Sequence, residues 1–104
     1  MKRKPNSIHI IHMIQSRDID NPIYSKEIER RLGVNDVQVR DAVHRARVID
    51  NIPLGSGSTG YFMPRDKSEI LRTIKSLRSR AKQNLEAAEG IEKHYTKDNQ
   101  QELL

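Results

Sequence analysis

The hexapeptide Gly55-Ser56-Gly57-Ser58-Thr59-Gly60 has the G-x-G-x-x-G spacing of loops that cradle a dinucleotide pyrophosphate. That chemistry needs the third glycine to open a helix and an acidic residue about twenty positions on. Here Tyr61-Phe62-Met63-Pro64 follows, a strand-like run and then a break, so the dinucleotide reading fails on context. A kinase-type glycine loop also lacks its strand lysine, catalytic aspartate and metal-binding Asp-Phe-Gly. What the hexapeptide retains is a set of backbone N–H groups and the hydroxyls of Ser56, Ser58 and Thr59, which can approach a phosphate closely.

His9 and His12 fall on adjacent turns of one predicted helix, but no cysteine or fitting carboxylate completes a zinc set. They are expected to be a surface or boundary pair, and no metal or other cofactor is expected. The absence of cysteine also removes thiolate nucleophiles and disulfides, and no Ser/His/Asp arrangement stands out. The expectation is therefore a binding protein rather than an enzyme.

Those residues sit in a chain of 104 residues with a net charge of +5, 35% hydrophobic, 4% aromatic and 32% charged residues. One small aliphatic core fits that length and composition, and a large catalytic cavity does not. The basic balance favours a polyanionic partner, with acidic proteins also compatible. The first five residues are basic, but Ile8-His9-Ile10-Ile11-His12-Met13-Ile14 is too short and too polar for a secretory or membrane segment. A cytoplasmic chain is expected.

Residues 25–43 carry the densest structural signal. Ser25 is expected to cap a helix with Ile28 and Leu32 inward, and Gly33 to end it in the left-handed conformation. Val34 then plugs the turn, and Asn35 with Gln38 forms a capping box for the next helix. Val39, Ala42, Val43 and Ala46 make the inner stripe of that helix; Asp36, Gln38, Arg40, Asp41, His44 and Arg45 make the outer one. Two capped helices around a glycine turn have the geometry that sets a helix into a DNA major groove. His44 lies on the side that would face DNA. Val37 either meets a thymine methyl or packs on the preceding helix.

Around this unit, an initial helix capped by Asn6 or Ser7 buries Ile8, Ile11 and Ile14 or Met13, and Pro22 forces an extended Ile23-Tyr24. Ile52-Pro53-Leu54 and Tyr61-Phe62-Met63-Pro64 are predicted strands flanking the glycine-rich loop, a hairpin wing. Asp66 with Glu69 opens a helix running to about Tyr95. Its apolar positions Ile70, Ile74, Leu77, Ala81, Leu85, Ala88 and Ile91 recur at steps of three or four and suit a coiled-coil or antiparallel dimer. In the alternative, the stretch from Ile70 to Ala81 packs on the first helix. Basic residues crowd the first half of this helix and acidic ones the second. The basic half either extends a phosphate-binding surface or is an ordinary solvated face.

In this order the elements resemble the winged helix-turn-helix DNA-binding family, through Ser25-Lys26-Glu27-Ile28, Arg31-Leu32-Gly33-Val34, Val39-Arg40, Ala42-Val43 and the glycine-rich wing. Small phage or prophage proteins with a trailing basic helix, here Leu77-Arg78-Ser79-Arg80-Ala81-Lys82, look similar. The resemblance implies a mainly α fold with a small β-hairpin: a basic arm at 1–6, the winged domain at 7–64, a long dimerising helix at 65–95 and a disordered tail at 96–104. It implies that the helix at 35–49 enters the major groove. Arg40 and Arg45 would contact guanine, Gln38 adenine, and Asp36 and Asp41 a cytosine amino group. Ser25, Lys26, Ser56, Ser58, Thr59 and the arm Lys2-Arg3-Lys4 would hold phosphates. Two departures stand out. Glu29 occupies a position that is often alanine in the family, and the wing tip has no Arg or Lys, leaving Arg65 at the base of the hairpin as the nearest guanidinium.

The resulting expectation is a sequence-specific double-stranded DNA-binding protein, a small dimeric regulator of transcription. The alternatives are a phage-type winged-helix inhibitor or adaptor of a host protein, and a DNA-recognition subunit in replication or packaging.

Overall fold

A computed structural model describes residues 5–58 and 60–98, with the side chains of Pro5, Lys97 and Asp98 left aside. The element order is α1 (Pro5–Gln15), α2 (Ser25–Leu32), α3 (Asp36–Val48), β1 (Gly55–Gly57), β2 (Gly60–Phe62) and α4 (Lys67–Asp98). The chain is thus mainly helical with a small two-stranded antiparallel sheet and a long C-terminal helix. Among the described residues, no helix is long and apolar enough to cross a membrane. Two compact units meet in the sequence between Thr73 and Ile74.

In the first unit, α1 packs on α2, α3 and β2 around Ile10, Ile14, Ile23, Ile28, Val39, Ala46 and Leu54. Each isoleucine, valine or leucine among them contributes about 1.5–3 kcal/mol on leaving water, which makes this small cluster the main cohesive force of the unit. The buried face of α1 differs from the one predicted. Ile10, Ile11 and Ile14 are buried whereas Ile8 is 48% exposed, because Ile8 and Ile10 point about 200° apart around a 3.6-residue turn. The helix also begins at Pro5, so Asn6 and Ser7 lie inside it rather than capping it, and the predicted arm loses its last two residues. Proline suits a first turn because its missing N–H has no intrahelical acceptor there. Lys2, Arg3 and Lys4 lie outside the described residues.

Pro22 is followed by the expected extended step. Ile23 and Tyr61 exchange backbone hydrogen bonds at 2.9 and 2.8 Å, so β2 is flanked by β1 on one side and by Ile23 on the other. This bridge holds the chain extended through Tyr24 (φ −76°, ψ 148°), which therefore occupies the cap position of α2, without a side-chain cap. Ser25 is the first helical residue and not the predicted N-cap. Gly33 ends α2 at φ 65°, ψ 38°, as the turn demands, and Val34 packs partly buried against the core.

The hairpin differs from the one predicted. Tyr61 and Phe62 lie in the second strand, as predicted, but the first strand is the glycine-rich Gly55–Gly57, with Gly55 paired to Phe62, Ser56 to Tyr61 and Gly57 to Gly60. Ile52-Pro53-Leu54 instead forms the approach to β1, with Leu54 fully buried. The physical reason is close approach. The ring of buried Phe62 lies where a Cβ of Gly55 would sit, and Gly60, at φ 120°, passes so near the bridge that its Cβ would come within 2.5 Å of the Ile23 carbonyl oxygen. Thr59 lies outside the described residues.

The helix α4 starts at Lys67, directly after the predicted cap residue Asp66, and ends at Asp98, so it takes in the first three residues of the predicted tail. The rest of that tail, 99–104, lies outside the described residues.

Candidate nucleic-acid interface

The start of α3 is fixed locally. The Asn35 side chain accepts from the Gln38 N–H at 2.8 Å while Gln38 Oε1 accepts from the Asn35 N–H at 2.9 Å, a complete capping box. Its end is fixed by Asn51 at φ 57°, beyond which the Ile52 N–H returns to the Ala46 carbonyl at 3.0 Å. That closure is of the left-handed type in which asparagine can replace glycine. Between these caps Val39, Ala42, Val43 and Ala46 are buried, as their spacing predicts. Asp36, Val37, Arg40, Asp41 and His44 form an exposed face, with Gln38 and Arg45 half-buried at its margin. Val37 is 63% exposed, which removes the alternative that it packs on α2.

Two polar groups of this face, Asp36 and Arg40, are already paired. Asp36 Oδ1 accepts from Ser25 Oγ at 2.8 Å, and Asp36 Oδ2 pairs with Arg40 Nε at 2.9 Å. Ser25 Oγ also lies 3.0 Å from Glu29 Oε2, so one hydroxyl proton serves two carboxylates. Glu29 therefore turns towards Ser25 and sits half-buried. The Arg40–Asp36 pair is exposed on both sides, and such pairs contribute about 0–1 kcal/mol, so a base edge worth about 1–3 kcal/mol can displace Asp36. Lys26 is exposed on the first turn of α2.

Beside this face lies a cleft of about 160 Å³ between the first turns of α1 and α3, with Ile10, Val34, Val37 and Ala42 as apolar walls and Asp41 and Arg45 as polar ones.

Two predicted phosphate ligands have other work. Ser56 Oγ accepts from Arg47 Nη2 at 3.1 Å, and Arg47 Nε donates to the Leu54 carbonyl at 2.9 Å. Arg47 thus braces β1 against α3, a role that sequence reading missed because its acceptors lie seven and nine residues on. Ser58 is exposed in the turn. Arg65 is the larger correction. Its backbone N–H donates to Glu69 Oε1 at 2.8 Å, its guanidinium to Glu69 Oε2 at 2.7 and 3.1 Å, and to Asp20 Oδ2 at 3.0 Å. The guanidinium and N–H of Arg65 hold the Glu69 carboxyl below its ordinary range, and the two carboxylates raise Arg65 above its own. The Glu69 N–H donates to Asp66 Oδ1 at 2.9 Å, half of the predicted capping box. The other half reaches past Asp66 to Arg65. Arg65 thus clamps the start of α4 through Glu69 and Asp20.

His9 and His12 are exposed, and among the described residues no group of three or more metal-ligating side chains gathers. On α4, Ile74, Ala81, Leu85, Ala88 and Ile91 are exposed and Ile70 and Leu77 half-buried. Comparison with protein-family models, with curated proteins and with solved structures finds no match to this chain.

Proposed function

We propose that this chain is a winged helix-turn-helix protein that binds double-stranded DNA sequence-specifically, a small regulator that lays α3 in the major groove and the β1–β2 hairpin beside it. The observation carrying this reading is the two-sidedness of α3. Val39, Ala42, Val43 and Ala46 are consumed by the core, which leaves Val37, Arg40, Asp41 and His44 exposed on a helix with a complete N-terminal capping box. Rigid capping matters because base readout requires side chains held in register with base edges. Arg40 contacts guanine once Asp36 releases it, Val37 a thymine methyl, and Asp41 a cytosine amino group. Lys26 positions the domain on phosphate. The carboxylates on the same face weaken binding to arbitrary duplex and favour a selective site.

Selection from random duplexes at fixed salt tests the reading. An enriched motif whose binding weakens tenfold or more on Arg40→Ala supports it. Recovery of unenriched sequence, with affinity that vanishes as salt rises, overturns it.

A second reading is favoured by the cleft between α1 and α3. Its apolar walls accept a protein side chain, which suits an inhibitor or adaptor that docks the same face on a host protein. Retained partner binding by Arg40→Ala, together with loss of partner binding by Val37→Asp, would select it.

A further inference from the structure

Residues 74–98 of α4 carry an apolar stripe along an otherwise polar helix. Ile74 is 39% exposed, Leu85 60% and Ile91 72%, and Ala81 and Ala88 are also exposed. Gly90 costs this helix about 1 kcal/mol relative to alanine, and most helical stability comes from packing an amphipathic face. The occupant is encoded in the order of large and small residues. Reversing the helix against itself places Leu77 opposite Ala88, Ala81 opposite Leu85 and Ile74 opposite Ile91. The four central layers then each hold one large and one small side chain, at similar helix separation, and the end layers hold two isoleucines. A parallel pairing stacks Ala81 on Ala81 between layers of paired leucines and Ala88 on Ala88 between a leucine and an isoleucine layer, leaving voids.

Charge gives the same polarity. Lys75, Arg78, Arg80 and Lys82 precede residue 83 with no carboxylate among residues 74–82, while Glu86, Glu89 and Glu92 follow with no cation among residues 83–92. At 100° per residue, Arg78, Lys82, Glu89 and Glu92 share one flank of the stripe. In antiparallel helices like flanks face each other, so Arg78 and Lys82 of one chain meet Glu89 and Glu92 of the other. Exposed pairs add little affinity, but they set orientation.

We infer that this helix pairs antiparallel with the same helix of a second copy of the chain, centred near Gln83. The inference stands apart from what α3 recognises.

Sedimentation equilibrium of the full chain is expected to show a concentration-dependent dimer, which Leu85→Asp weakens at least tenfold. Charge reversal gives an independent arm. Arg78→Glu with Lys82→Glu yields an acidic flank and Glu89→Lys with Glu92→Lys a basic one, so each variant self-associates less, and their mixture recovers a heterodimer. The chain has no native cysteine, so a spin label on Lys93→Cys reports polarity alone. Antiparallel pairing about residue 83 separates the two labels axially by about 30 Å at 1.5 Å per residue. A strictly monomeric chain, a dimer unaffected by Leu85→Asp, or labels at the short separation of parallel helices would each overturn the inference.

Discussion

Arg65 and Glu69 meet through both main chain and side chain: one carboxylate accepts the Arg65 N–H at 2.8 Å and the guanidinium at 2.7 and 3.1 Å, while Asp20 takes a fourth contact at 3.0 Å. Four residues apart in sequence, they fasten the first turn of α4 to the turn after α1. Because Glu69 ionises at lower pH in the folded chain than in the unfolded one, its stabilising contribution is present above the ordinary carboxylate range. It is lost as the pH falls through the depressed value. Thermal unfolding between neutral and strongly acidic pH is expected to show this loss, and Glu69→Gln should lower the neutral melting temperature and flatten the acid limb. An unchanged acid limb in Glu69→Gln would refute the assignment.

Alanine substitution along the hairpin should separate its three described glycines. Gly60→Ala combines a left-handed backbone with a clash against the Ile23 carbonyl, and Gly55→Ala meets the buried Phe62 ring. Each is expected to cost about 1–3 kcal/mol or more by overpacking or strain. Gly57→Ala meets nothing within 4 Å and should stay within about 0.5 kcal/mol of the parent. Equal effects at all three positions in denaturant titrations would argue against the observed register.

Asn35→Ala removes the cap acceptor at the start of α3 and should cost about 1 kcal/mol. The same substitution is expected to weaken duplex binding beyond what stability explains, because it loosens the turn that carries Asp36, Val37 and Arg40. Duplex affinity unchanged in the folded variant would separate capping from recognition.

The paired roles of two arginines give a direct comparison. Arg40→Ala should lose about 1–3 kcal/mol of affinity for a selected duplex and relax specificity at one base position. Arg65→Ala should lower the melting temperature and leave the affinity of the folded protein unchanged, since its guanidinium is spent on Glu69 and Asp20. A comparable affinity loss in both variants, measured by titration at one salt concentration, would contradict the division.

Much of α2 and α3 was legible in sequence because their signals are local. Gly33, the Asn35–Gln38 box and the buried spacing of Val39, Ala42, Val43 and Ala46 each depend on contacts within a few residues or on helical period alone. The same locality misled at Ser25 and in the hairpin. A serine before an apolar run resembles an N-cap, yet the Ile23–Tyr61 bridge moves the cap to Tyr24; glycines resemble a loop, yet Phe62 and Ile23 require them as strand.

By itself, then, the amino-acid order determined the helices, the turn at Gly33 and the two faces of α3, since side-chain periodicity and capping act over one or two turns. The tertiary structure alone decided which polar side chains are left over for a partner. Arg65 finds Asp20 across 45 residues, Ser25 finds Asp36 across eleven, and Arg47 turns to the hairpin instead of outward. A charged group takes whichever opposite charge or carbonyl the folded chain brings within hydrogen-bond reach, and no local pattern records that distance.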